Sequence, residues 1–286
     1  MAVFFALIAL VGWGAGDIFV TLLSRKIGSR KALFLWLLGS FVLASLYVPF
    51  AKPISDYPMF IFIFILHLFG LTGTVLYFKA LEIGNASLVG TIAGAFPIIT
   101  VPLSVAIFAE KLGQIQILAI AMTICGLIFS TLHWQEIMKS NFSRLINEKS
   151  ILYALVTFII WGVFWTLIRI PVAKIGWFWS MYPGYLLFVL LPLFGFVKKI
   201  SIGELKNRDN LKLIIPMCLL TLAANFGYSL GITYGYTSIV APIAGSSPVL
   251  FVILSRFVFR DKLTSQQKAG IGLTLTGIVL IGISSI

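Results

Sequence analysis

Long apolar runs alternate with short polar connectors along the chain, and ten runs can cross about 30 Å of hydrocarbon at about 1.5 Å of helix per residue. They lie near residues 3–23, 31–51, 58–80, 86–108, 113–132, 150–169, 176–197, 211–233, 237–259 and 266–285. The pattern predicts an all-α integral membrane protein with ten transmembrane helices. The longest connectors, 133–149 and 198–211, leave no room for a soluble domain. The first of them divides the chain into two five-helix units, 1–132 and 150–286.

The units repeat each other. At an offset of 151, Gly94 pairs with Gly245, Pro97 with Pro248, Ser104 with Ser255, Phe108 with Phe259, Lys111 with Lys262, Thr123 with Thr274 and Gly126 with Gly277. Each copy is an apolar helix containing a proline, an acidic-Lys-Leu junction (Glu110-Lys111-Leu112; Asp261-Lys262-Leu263), then an apolar helix opening on glutamine-rich polar residues. An odd number of crossings per unit makes the second copy enter from the opposite side. The expectation is a 5+5 inverted repeat about an in-plane pseudo-two-fold axis, an arrangement that membrane carriers use.

Composition agrees with the pattern. The chain is 60% hydrophobic and 10% charged with a mean hydropathy of +1.07, whereas about a quarter of the residues in a soluble domain carry charge. The net charge of +12 could point to a nucleic-acid partner, but the basic residues sit mainly in connectors and read as topology signals. Of the 21 Lys and Arg, all but Lys52, Lys111, Arg169 and Lys174 cluster on the side reached after the odd-numbered helices. The positive-inside rule puts that side in the cytoplasm and both termini outside, in a multi-pass protein of the plasma (inner) membrane. The first run has no basic residue before it and no small-residue cleavage site, so it reads as a retained helix. Cys125 and Cys218 lie within apolar runs as small core residues, with no disulfide framework or metal spacing.

The sharpest chemical signal is Asp17 in the first helix. An ionised carboxylate facing lipid would cost several kcal/mol, so it must face protein or water. Trp13, Asp17 and Thr21 form one stripe at i, i+4 and i+8, while Gly12 and Gly16 form an adjacent small-residue stripe where another helix can approach. Asp17 is then a substrate contact or proton-coupling group, or else a carboxylate paired with a neighbouring helix to hold the bundle. Gly14-Ala15-Gly16-Asp17 also resembles the string of intramembrane aspartyl proteases, but that chemistry needs a second carboxylate in the bilayer, and the remaining acids fall in connectors or at helix ends.

In the sixth helix Trp161, Trp165 and Arg169 occupy the matching stripe. Facing indoles can clamp an apolar or cationic ligand, or simply fill the core; Arg169 reads as a snorkelling side chain. Thr74 and Tyr77 share a face of the third helix, as Thr221, Asn225 and Tyr228 do in the eighth, and these faces look inward. Interhelical hydrogen bonding would explain them equally well. His67 has no ligand partners at metal spacing and reads as a satisfied polar residue. Pro97 and Pro248, beside Gly94 and Gly245, kink the fourth and ninth helices at matched positions, as hinges or as static bends.

Trp13-Gly14 and Trp161-Gly162 opening each half, the mid-helix prolines, the Glu110-Lys111-Leu112 junction and the Gly126 helix together resemble the EamA-like branch of the drug/metabolite transporter superfamily. The resemblance spans nearly the whole chain. It implies a central cavity lined by helices 1, 3, 4, 6, 8 and 9 with helices 2 and 7 at its sides, helices 5 and 10 peripheral or at dimer contacts, and export or exchange of small metabolites by alternating access. It also implies cytoplasmic termini, against the charge count, and the count is the reading kept here. The expectation is a secondary transporter, coupled through Asp17, for an amino acid, amine or drug-like metabolite, working as monomer or homodimer without metal or cofactor. A lipid flippase or channel-like facilitator is the alternative; a membrane enzyme lacks its catalytic constellation.

Overall fold

The computed structural model describes residues 1–54, 56–131, 148–197, 207–259 and 264–285, and among these every regular element is helical. The helices are α1 (Ala2–Ile27), α2 (Ser29–Ser45), α3 (Tyr57–Ile83), α4 (Ala86–Gly94), α5 (Pro97–Phe108), α6 (Gln114–Thr131) and α7 (Lys149–Leu167). They continue with α8 (Arg169–Tyr185), α9 (Leu190–Leu193), α10 (Arg208–Tyr234), α11 (Thr237–Gly245), α12 (Ser247–Phe259) and α13 (Ser265–Ser284). Eight helical segments among the described residues are long and apolar enough to cross a membrane. Their outer faces carry apolar stripes at one-turn spacing, such as Ile61, Ile65 and Phe69 on α3 and Leu275, Val279 and Ile283 on α13, all exposed in the isolated chain. Such faces belong in lipid. Most of the predicted connector 133–149, part of the 198–211 connector and the second junction, Asp261-Lys262-Leu263, lie outside the described residues.

Several helices depart from the predicted spans, and prolines account for most of the differences. α2 stops at Ser45 and not near 51, because Pro49 has no N–H for the Ser45 carbonyl and disfavours a helical Val48; a 3-10 turn, Val48–Phe50, follows. At 17 residues α2 is about 26 Å long. The sixth helix does not end at 169. It pauses at Leu167, whose carbonyl Pro171 cannot satisfy, and helical backbone resumes from Arg169 until Gly176, which has φ 82° and ψ 168°. Gly28, at the corresponding place after α1, has φ 89° and ψ 144°. Both glycines hold a left-handed φ that a side chain would strain. The seventh helix loosens after Tyr185 into a 3-10 turn, Leu186–Val189, and the short α9.

The fourth and ninth spans are interrupted outright. α4 ends at Gly94 and α5 begins on Pro97; α11 ends at Gly245 and α12 begins at Ser247, just before Pro248. The freed carbonyls are taken locally. Ala93 O, which a residue 97 N–H would have reached, accepts from Phe96 N at 3.2 Å. Pro242 O accepts the Ser246 hydroxyl at 2.7 Å. The two interruptions touch across the bundle, since a methyl group on Gly94 would overlap the Pro248 ring and one on Gly245 would overlap the Pro97 ring.

Helix partners exchange in the same reciprocal way. α1 lies along α10, and α3 along α7; α1 also meets α12, as α7 meets α5; α2 meets α10, as α8 meets α3. α6 and α13 pair with each other at the edge. Their close approach is set by Gly126 against Thr274 and Gly277 against Thr123. Backbones come this near only where no Cβ intervenes. Cys218 is buried between α10 and α2, whereas Cys125 is exposed on α6, contrary to the core position expected for it.

Candidate functional site

At the centre of the bundle, α1, α3, α7 and α10 enclose a cavity with the α4–α5 interruption and α8. It offers about 110 Å³ of positions for the centre of a water molecule, where one water needs about 10–15 Å³. Trp13 and Asp17 from α1, Thr74 and Tyr77 from α3, Trp161 and Trp165 from α7, and Asn225 from α10 all line it. Helical spacing had put each of these on an inward face.

The Asp17 carboxylate accepts the Tyr77 hydroxyl at 2.6 Å. α1 runs beyond its predicted end near 23, so Asp17 sits ten residues from the C-terminal end of the helix. That is about 15 Å of helix from its C-terminal end. The Tyr77 ring leans on Trp161 with centroids 4.7 Å apart. One turn before Asp17, Trp13 donates its indole N–H to Asn225 Oδ1 at 2.9 Å, and Asn225 Nδ2 donates to the Tyr185 hydroxyl at 3.0 Å. Trp13 also contacts Trp165, with centroids 5.0 Å apart, so indoles from the two halves of the chain meet directly.

Two expected residues stand elsewhere. Thr21 is buried away from the cavity, and its hydroxyl donates to the Asp17 carbonyl at 2.7 Å. Tyr228 is fully buried behind the wall; its ring packs on Trp165 at 4.6 Å and its hydroxyl donates to the Trp165 carbonyl at 3.1 Å. Of the four hinge candidates, Gly94 reaches the cavity and Pro97, Gly245 and Pro248 stand at the touching interruptions just described.

Other lining residues escaped the sequence reading. Trp36 donates its N–H to Thr221 Oγ1 at 2.7 Å, and Phe96, Phe164 and Tyr185 complete an aromatic wall. His67 faces the cavity too, with Nε2 2.8 Å from the Ser180 carbonyl. A carbonyl oxygen only accepts, so Nε2 carries the hydrogen. Trp36 and Tyr185 lie on spans with no carboxylate to mark an inner face, so nothing in their spacing flagged them.

Arg169 is the clearest correction. It does not snorkel but turns to Glu110, Nη1 to Oε1 at 3.1 Å, and donates to the Gly235 carbonyl at 2.9 Å. Glu110 is buried and caps α11, accepting the N–H groups of Thr237 at 2.8 Å and Ser238 at 2.9 Å and the Ser238 hydroxyl. A carboxylate at a helix N-terminus is favoured by the exposed N–H groups and the helix dipole. The sequence placed Glu110 in a connector and gave no sign of this partner. Lys79 and Glu82, three residues apart near the end of α3, form an ion pair at 2.9 Å.

A bundle of apolar helices wrapped around a partly polar, aromatic-lined cavity defines an integral, multi-pass membrane protein. The model of the EamA-like transporter family matches residues 1–132 and 148–283, and the chain belongs to that family. Twenty-seven chains of solved structures also match. One of them, a crystal structure described only as that of a protein, superposes with a TM-score of 0.71 over 99% of this chain and 97% of its own, at 15% identity. That likeness carries the fold alone. The comparison with curated proteins gives no match.

Proposed function

We propose that the chain is a secondary active transporter that moves a small organic metabolite through the Asp17 cavity by alternating access, with proton coupling at Asp17. The observation that carries this reading is Asp17 itself: a mid-helix carboxylate lining a cavity at the point where both halves of the chain converge. Intramembrane ionisable groups in such positions mark solute and proton pathways.

The proposal includes ten crossings, with α2 and α6 as membrane spans, arranged as a 5+5 inverted repeat. Support comes from reciprocity. The contacts α1–α10 and α3–α7, the Gly94–Pro248 and Gly245–Pro97 approaches, and the matched glycine conformations at Gly28 and Gly176 each exchange under the sequence repeat. The interruptions at Gly94–Pro97 and Gly245–Pro248 are then the hinges, because helix ends without continuous backbone bonding can tilt at low cost. By the charge count the termini face away from the cytoplasm of a cell membrane.

Proteoliposome assays with purified full-length protein test the reading. Saturable counterflow of a labelled small organic solute, stimulated by a pH gradient, is the expected result. Ohmic conductance would identify a channel, and scrambling of labelled phospholipid a flippase; either would displace the carrier.

A further inference from the structure

We infer that the solute of the Asp17 cavity is an organic cation with an apolar or aromatic body, held by the carboxylate and the surrounding ring faces. The inference rests on the transport reading for its role but not for its chemistry.

The charge inventory comes first. Asp17 is the one carboxylate lining the cavity among the described residues, and no Lys or Arg lines it there. Arg169, one turn beyond Trp165 on the chain, is committed to Glu110 and to the Gly235 carbonyl. A free carboxylate or phosphate on the solute would lie in a low-dielectric site with a fixed acid and no fixed cation, where leaving a charge unpaired is costly. Phosphorylated solutes and simple organic acids are excluded on that ground, and a zwitterion would match at one end only. His67 is the other titratable side chain facing the space besides the tyrosines, and its Nε2–H is held by Ser180 O.

The walls give the second half. Four indoles, Trp13, Trp36, Trp161 and Trp165, line the same space as Asp17. Two of them have their N–H groups committed to protein partners, Asn225 and Thr221. What these two offer a solute is ring surface, and indole faces attract cations more strongly than other aromatic side chains do. Tyr77 joins both elements, since its hydroxyl holds Asp17 at 2.6 Å while its ring contacts Trp161 at 4.7 Å. A positive group at the carboxylate therefore lies beside aromatic rings, and an apolar body fills the remainder. The carboxylate takes either a proton or the solute's charge, which ties the solute class to the proposed exchange.

Equilibrium binding to purified full-length protein in maltoside micelles at mildly alkaline pH tests this separately from transport. The probes are benzyltrimethylammonium, phenylacetate, phenylalanine and benzyl alcohol, which share a ring and differ in charge. The cation should bind saturably, and phenylacetate and phenylalanine at least about tenfold more weakly. Asp17→Asn keeps an acceptor for the Tyr77 hydroxyl; it should weaken the cation about tenfold or more and leave benzyl alcohol unchanged. Trp161→Leu should weaken the cation several-fold, and Trp161→Phe less, with melting curves checking each fold. Equal binding of phenylacetate or phenylalanine, no saturable binding of the cation, or unchanged cation affinity in folded Asp17→Asn or Trp161→Leu would overturn the inference. A cation that binds but shows no counterflow would sink the carrier reading and leave the binding site standing.

Discussion

The Tyr77 hydroxyl donates to the Asp17 carboxylate at 2.6 Å, joining α3 to α1 inside the cavity. Asp17 thus has a protein partner and a cavity face together, so the two sequence readings of this residue, packing group and working group, are not alternatives. One oxygen, Oδ2, is held by the tyrosine. The carboxylate is positioned by its partner while it lines the cavity.

Asp17→Asn should abolish the dependence of transport on a pH gradient while protein yield and melting temperature stay near wild type. The amide keeps the shape and an acceptor but cannot take a proton. The check is counterflow at saturating solute alongside gradient-driven uptake. Coupling that persists unchanged would reassign Asp17 to structure.

Tyr77→Phe keeps the ring against Trp161 and removes the hydroxyl. It should lower stability by about 1.5–3 kcal/mol, the usual worth of a hydrogen bond to a charged group. Thermal unfolding in detergent measures it, and in an Asp17→Asn background the same substitution should cost less.

Gly94→Ala puts a methyl group into the Pro248 ring. Overpacking of this kind costs about 1–3 kcal/mol, and here it also wedges the two interruptions apart. Adding Pro248→Ala should recover part of the stability, so a double-mutant cycle should give a clear coupling energy. Strict additivity would show that the contact is not what sets the spacing.

Arg169→Met strands Glu110, which is 4% exposed. Removing one partner of a buried pair costs about 3–5 kcal/mol; the N–H groups of Thr237 and Ser238 still bind Glu110 and should keep the loss near the lower end. Glu110→Gln combined with Arg169→Met should be more stable than Arg169→Met alone. Unfolding measurements on the three variants decide it.

Apolar run lengths foretold that the chain is helical and built for a membrane, because hydrocarbon leaves a backbone no partner but itself. The two bends were equally legible: proline and glycine act on their own backbone, so the Gly94-Pro97 and Gly245-Pro248 motifs implied interruptions at both places before any packing was known. Spacing also placed Trp13, Asp17, Thr74, Tyr77, Trp161, Trp165 and Asn225 on inward faces, and these seven came together. It could not separate residues on the cavity wall from those one layer behind, which is why Thr21 and Tyr228 were included and Trp36 and Tyr185 were not. Nor could it pair Glu110 with Arg169, 59 positions away along the chain. Such facts depend on how far each helix is rotated about its axis and which neighbour it meets. That rotation is set by the packing of all the helices at once, whereas composition, span length and proline position act locally and can be read one segment at a time.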